Sequence, residues 1–231
     1  MSDFKPSING ILLIVKTKQM NKNLPVLALM VTAFFASAQQ FNGTIDFKYA
    51  TVKDTTNNVY VVRDKVIKLD QYGKKSGAIE GSFIFDLGTS KIRFVNPKRK
   101  VWGDHTSETP PIIKGKCDVA KGHGSKTVAG MKCVDYTVKN VDENTSITYW
   151  VCTDHFNFFI PVLKLWNRKD KQSVYFNQIS GLPEGSMPLA SEEKQLNDGK
   201  SLTRLEVVKI TKKSPDEASV MVPPDYTKFD K

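Results

Sequence analysis

"MKCVDYTVKNVDENTSITYWVC", residues 131–152, reads as two alternating strands joined by a polar turn over "NVDENT". With the turn placed there, Val134 faces Val151, Tyr136 faces Tyr149 and Val138 faces Ile147. All six side chains are apolar or aromatic and share one face, because side chains alternate along a strand with period two. A slip of one residue would send the whole set to the opposite face, so the register is well specified. The same register sets Cys133 opposite Cys152 on the other face. A cross-strand disulfide is geometrically accessible there if that pair is a non-hydrogen-bonded one.

The pattern continues outward on both sides. "FNGTIDFKY" places Phe41, Ile45, Phe47 and Tyr49 on one face and Asn42, Thr44, Asp46 and Lys48 on the other, as a half-buried strand does. "VYVVRD" and "KVIKLDQYG" read as a hairpin broken near Asp64-Lys65, and "AIEGSFIFDLG" aligns Ile79, Phe83, Phe85 and Leu87. "KIRFVN" and "KRKVWG" form two short strands around Asn96-Pro97. Residues 104–126 are rich in Pro, Gly, Lys and Ser and read as a long loop. Beyond the hairpin, "GLPEGSMPLASEEKQLNDGKSLTRLEVVKITKK" reads as two strands joined near Asn197-Asp198-Gly199. "DEASVMVPPDYTKF" reads as a short edge segment, since Pro223-Pro224 bars it from a sheet interior.

One stretch breaks the strand pattern. "NFFIPVLKLWNRKD" puts Phe159, Val162, Leu163 and Trp166 on one side of a helix, with Pro161 acceptable in the first turn. "KQSVYFNQISG" reads as a second short helix ending at Gly181. The expected architecture is mainly β: a single, strongly curved, unclosed antiparallel sheet with one or two helices over its apolar face.

The order of "VAGMKCVDYTV", "ITYWVCTD", "GLPEGSMPLASEEKQLNDGK", "LEVVKITKK" and "VMVPPDYTKF" resembles an exported, Bacteroidetes-type family of domains of unknown function. That family is placed near the periplasmic lipoprotein carriers LolA and LolB. The resemblance covers roughly residues 40–230. It implies a half-barrel whose helices cover a concave apolar face, and it implies no catalytic residue.

The front of the chain speaks to compartment. From Met20, Lys22 precedes an apolar run of about a dozen residues, Leu24 to Phe35, followed by Ala36-Ser37-Ala38. That run is shorter than the ~20 residues a membrane-spanning helix needs. It reads as a secretory signal peptide, residues 20–38, cleaved after Ala38. Residues 1–19 then read as a mis-assigned extension, and residues 39–231 as one domain of roughly 190 residues. No Cys follows the apolar run at the cleavage point, so no lipid anchor is indicated, and the expected location is periplasmic or secreted. In an oxidising compartment the three cysteines suggest one pair and one leftover. The register favours Cys133–Cys152 with Cys117 left over. A Cys117–Cys133 bond and a reduced hairpin are the competing outcomes.

The formal net charge is +10, partly from the leader and partly from Lys98, Arg99 and Lys100 and from "ITKK", Ile210 to Lys213. A basic exported chain argues against nucleic acid and leaves an anionic membrane surface or a solvated basic face. No G-x-S-x-G or H-E-x-x-H motif is present, and His105, His123 and His155 lack metal-ligand spacing. "GHGSKT" lacks the G-K-[ST] ending of a phosphate loop and precedes a strand. No cofactor, metal or enzymatic activity is expected.

Two readings follow. In one, the chain binds an apolar ligand, a lipid or an acylated protein, in a groove lined by Phe47, Tyr49, Phe83, Phe85, Phe159, Val162 and Trp166, with the helix as a lid. In the other, the concave face is a filled core and the basic surface at Lys98, Arg99 and Lys100 binds an envelope partner.

Overall fold

The computed structural model describes residues 40–107, 109, 111–153 and 155–229. The expected leader and the extension before it, residues 1–38, lie outside the described residues. Six antiparallel strands open the domain: β1 (Gly43–Thr51), β2 (Thr55–Arg63), β3 (Val66–Tyr72), β4 (Ile79–Asp86), β5 (Lys91–Asn96) and β6 (Val101–His105). A second meander follows with β7 (Asp118–Val128), β8 (Met131–Asn140) and β9 (Thr145–Cys152). Then come α1 (Phe159–Trp166), α2 (Lys171–Phe176), β10 (Met187–Gln195) and β11 (Ser201–Thr211). A 3-10 turn (Glu217–Val220) and the short β12 (Thr227–Lys228) complete the described chain.

All twelve strands lie in one sheet, in the order β12-β6-β5-β4-β3-β2-β1-β11-β10-β9-β8-β7. The two meanders are joined by β1 pairing with β11, Tyr49 against Leu205. The edges are β12 and β7, so the sheet is an open half-barrel. β8 and β9 pair as the side chains require, with Val134 opposite Val151, Tyr136 opposite Tyr149 and Val138 opposite Ile147. The hairpin turns use left-handed backbone at Asp64, Ser90, Lys100 and Asn144. Short polar or flexible side chains tolerate that conformation best. Gly199, also at positive φ, closes the β10–β11 hairpin where the Asn-Asp-Gly run sits.

One expectation is corrected. Part of the stretch read as a loop over 104–126 is the edge strand β7. It escapes a pattern-based reading because nearly every one of its residues is exposed, so it carries no apolar alternation. Its register against β8 shifts between Lys121 and Ser125. Gly122 fits that bulge because a Cβ there would meet Asp135 Oδ2 at 1.9 Å. The Gly124 N–H donates to Asp135 Oδ1 at 2.8 Å. A bulged, lysine-bearing edge resists further strand pairing.

The concave face holds the core. Ile45, Val62, Ile67, Phe85, Val138, Ile147 and Tyr149 are buried there together with Phe156, Phe158, Val162, Tyr175 and Leu189. α1 buries Phe159, Val162, Leu163 and Trp166, the face its spacing prescribes. Phe158 meets Phe156, Phe159, Phe41 and Tyr60 with ring centroids 5.9–6.5 Å apart, mostly edge to face.

Candidate functional site

The two helices are short, so their position depends on what holds them to the sheet. α1 ends at Asn167, whose left-handed backbone lets its N–H donate to the Leu163 carbonyl at 2.8 Å. The chain then turns through Arg168 and Asp170. Asp170 caps α2 by accepting from the Ser173 N–H at 3.0 Å, and Arg168 Nε lies 2.9 Å from Asp170 Oδ2. The Arg168 guanidinium also stacks over the Trp166 ring at 4.5 Å.

α2 is fixed by a buried polar network. Gln172 donates from Nε2 to Thr203 Oγ1 at 2.8 Å and accepts from the Ser191 hydroxyl at 2.7 Å. Its backbone carbonyl accepts from the Tyr149 hydroxyl at 2.8 Å. Thr203 in turn donates to Glu193 Oε2 at 2.9 Å, and Thr145 donates to Glu193 Oε1 at 3.1 Å. At the far side of the helix, the Tyr175 hydroxyl donates to Glu143 Oε2 at 2.6 Å. Burial is the main reason the Tyr149 and Tyr175 phenols are pushed well above the ordinary tyrosine value. Both therefore stay protonated and able to donate.

The Tyr175–Glu143 contact gives a pH signature. The Tyr175 hydroxyl, then the Lys114 N–H, hold Glu143 below the usual glutamate range, so its folded pKa is depressed. Its contribution is complete above the unfolded value of ~4.3 and is lost as pH falls through the lower folded value. Tyr175→Phe is expected to cost about 1 kcal/mol near neutrality, since Glu143 is only half-buried. The gap between the denaturation free energies of the two proteins should start to narrow as pH falls below the unfolded value of ~4.3 and close once Glu143 is protonated in the folded protein. A gap independent of pH would refute this assignment.

Where the helices leave the sheet, they bound a cavity of about 110 Å³. Phe47, Tyr60, Leu69, Phe159, Leu163, Trp166, Phe176 and Leu205 supply apolar wall, and Tyr49, Asn58, Gln71, Arg168, Asp170 and Gln172 supply polar groups. Strand register assembles it. Phe47 pairs with Asn58, which pairs with Gln71. On the other side Tyr49 pairs with Leu205, Leu205 with Ser191, and Ser191 with Tyr149. Burial raises Tyr60 to about 12, and it raises Tyr49 with Asp170 as the next cause.

The structure thus brings Phe47, Tyr49, Phe159 and Trp166 to one cavity. It places the other three groove candidates elsewhere. Phe83 and Phe85 pack their rings on Trp166 at 4.8 and 4.9 Å, and Val162 is fully buried in the core. The polar half of the lining was not foreseen. Asn58 and Gln71 sit in polar-looking positions that only the strand register brings to the cavity, and Gln172 is brought there by its bonds to Thr203 and Ser191. At the basic turn between β5 and β6, Lys98 and Arg99 are exposed, whereas Lys100 is paired with Asp225 at 2.9 Å.

The expected Cys133–Cys152 bridge is corrected to the reduced hairpin: no disulfide joins the three cysteines. Cys133 and Cys152 are both buried, and the Cys133 thiol donates to the Met131 carbonyl at 3.6 Å. Burial, with Cys152 beside it, pushes the Cys133 thiol up to about 11, which keeps it protonated and a weak nucleophile. Among the described residues no group of three or more His, Cys, Asp or Glu side chains is arranged to hold a metal ion. No described helix is long and apolar enough to cross a membrane.

Fold and site together define an open half-barrel, antiparallel except for the parallel edge pair β12–β6, with two helices seated in its concave face and a small amphipathic cavity at their junction. The chain belongs to the family described as Domain of unknown function (DUF4412), whose model matches residues 41–226. No curated protein sequence matches it. Among solved structures it is similar to a chain of the Pseudomonas aeruginosa MucA/MucB complex, at 13% identity and TM-score 0.48, over 82% of this chain and 58% of that one. It is also similar to PNGF-II, at 11% identity and TM-score 0.43, over 81% of this chain and 30% of the other. A LolA superfamily protein from Nitrosomonas europaea, NE2245, aligns at 7% identity and TM-score 0.33, over 80% of this chain and 91% of its own. The chain thus spans little over half of the MucA/MucB chain and about a third of PNGF-II.

Proposed function

We propose that this chain is a non-enzymatic binding module of the extracytoplasmic space that takes an apolar group into the cavity under α1 and α2. The cavity carries the proposal: its wall is largely apolar, with Phe47, Phe159 and Trp166 in it, and the Arg168–Asp170 pair supplies charge beside them. Its volume, about 110 Å³, is near the ~150 Å³ of an apolar cavity that accepts benzene and below the ~300–1,000 Å³ of sites for drug-sized ligands. The ligand group is therefore the end of an acyl chain or a small ring, with the rest of the molecule outside. Arg168, half-buried in the lining, is available to a polar head. The leader-like residues 20–38 support an exported location.

The test combines two measurements. Protein recovered from the exported fraction is extracted and the extract weighed by mass spectrometry, and a fluorescent fatty acid is titrated into purified protein. Saturable uptake is expected, and Leu205→Trp, which fills the cavity from the half-buried Leu205, should weaken it at least tenfold with unchanged thermal unfolding. Reproducibly empty protein that also ignores the fatty acid sinks the proposal.

A further inference from the structure

A second cavity lies on the opposite face of the sheet, and neither the core nor the site above uses it. After β11 the chain crosses the convex side of β2–β6 as a strap, Pro215 to Tyr226. The strap is tied at both ends. Arg63 Nη1 donates to the Pro215 carbonyl at 2.6 Å, and Lys100 pairs with Asp225. β12 then adds to β6, with the Phe229 N–H donating to the Trp102 carbonyl at 2.6 Å. Between these ties the buried Val220 packs toward the sheet. Strap and sheet flank an open groove of about 690 Å³. Val66, Ile84, Trp102, Met221, Pro223 and Tyr226 make its apolar wall.

The charges in it are specific. Arg63 and Arg93 face Asp64, Asp86 and Glu217. Arg93 stands at the middle of a cross-strand row, paired with Ile84 on β4 and Asp104 on β6, and its guanidinium lies 5.6 Å from the Trp102 ring. Arg93 Nε is buried and has no acceptor among the described residues. Asp86 and Asp104 both lie close enough to feel the Arg93 charge, yet neither accepts from its Nε, and each has other donors. Asp86 accepts from the Gly88 and Thr89 N–H groups and from the Thr89 hydroxyl. Asp104 pairs with Lys228 at 3.0 Å. A buried donor without an acceptor is rare in folded proteins, and a guanidinium edge matches a carboxylate in geometry and charge.

We propose that this cavity is a binding site for a small organic acid, a monocarboxylate with an aromatic or branched apolar body, whose carboxylate meets Arg93 while its body lies against Trp102 and Met221. Two arginines against three carboxylates leave the wall without net positive charge, so a dianion such as a phosphate monoester is repelled more strongly than a single carboxylate held at Arg93. The volume is within the range of sites for small organic ligands, ~300–1,000 Å³. The site is separate from the helix cavity and does not depend on its function.

The probe is 2-naphthoate, with the neutral 2-naphthalenemethanol as control, titrated into the full chain and followed by amide NMR shifts. Saturable binding of the acid is expected, with shifts on residues 215–226 and near Trp102. Arg93→Met should weaken it at least tenfold, and Met221→Trp, which fills the cavity from the exposed strap, should do the same without altering the fold. Leu205→Trp on the other face should leave it unchanged. Equal affinity for the alcohol, equal affinity in Arg93→Met, or no saturable binding at millimolar probe would each overturn the proposal.

Discussion

Trp166→Ala is expected to destabilise the protein by about 3–5 kcal/mol, the usual cost of truncating a large buried aromatic. Trp166 is 5% exposed and closes α1 against the sheet. Its ring touches Phe83 at 4.8 Å and Phe85 at 4.9 Å, and Arg168 covers its other side at 4.5 Å. Truncation leaves a void beside two rings that strand β4 holds in place, so collapse fills it poorly. Denaturant unfolding measures the loss. Trp166→Phe should recover most of it, since a ring still fills the site. A loss under about 1 kcal/mol would show that α1 rests only loosely on the sheet, as a movable lid does.

Gln172→Ala is expected to cost about 2–4 kcal/mol, through unsatisfied partners rather than lost packing. Gln172 is 7% exposed, and its side-chain amide is both donor to Thr203 and acceptor from Ser191. Removing it strands the Ser191 hydroxyl, which is 3% exposed, and takes a donor from the chain leading to Glu193. The Ser191 hydroxyl then loses its acceptor and Thr203 loses its donor, Ser191 being buried and Thr203 half-buried. Gln172→Leu should be no better, because it adds apolar bulk beside the same orphaned hydroxyls. Chemical denaturation checks the free energy, and faster amide exchange confined to residues 171–176 would place the damage at α2. This network is the reason the helices form a fixed boundary of the cavity.

Much of the architecture is legible in the chain. The β8–β9 register follows from three facing pairs, because period-two alternation leaves one arrangement that buries them all. The α1 face follows from Phe159, Val162, Leu163 and Trp166 at helical spacing. Turns near Asp64, Asn96-Pro97 and Asn197-Asp198-Gly199 follow from residues that accept turn geometry. These signals are local, so a linear reading captures them. β7 is legible only in hindsight. An exposed edge strand has no buried face to impress an apolar pattern on its sequence, and its pairing comes from β8 and the Asp135 bulge.

The site was legible by halves. The aromatic residues of the cavity stand out as apolar positions, but the same signal marked Phe83, Phe85 and Val162, which are core. Apolar character says that a side chain is buried, and only its neighbours say whether it faces another side chain or a void. The sequence by itself determined strands, turns, the helical insert and one hairpin register, because each depends on residues close along the chain. Long-range packing sets the order of strands, the β1–β11 seam and the two cavities. Each of these depends on contacts between residues distant in the chain, such as Tyr49 with Leu205 and Arg63 with Pro215, whose meeting no local pattern encodes.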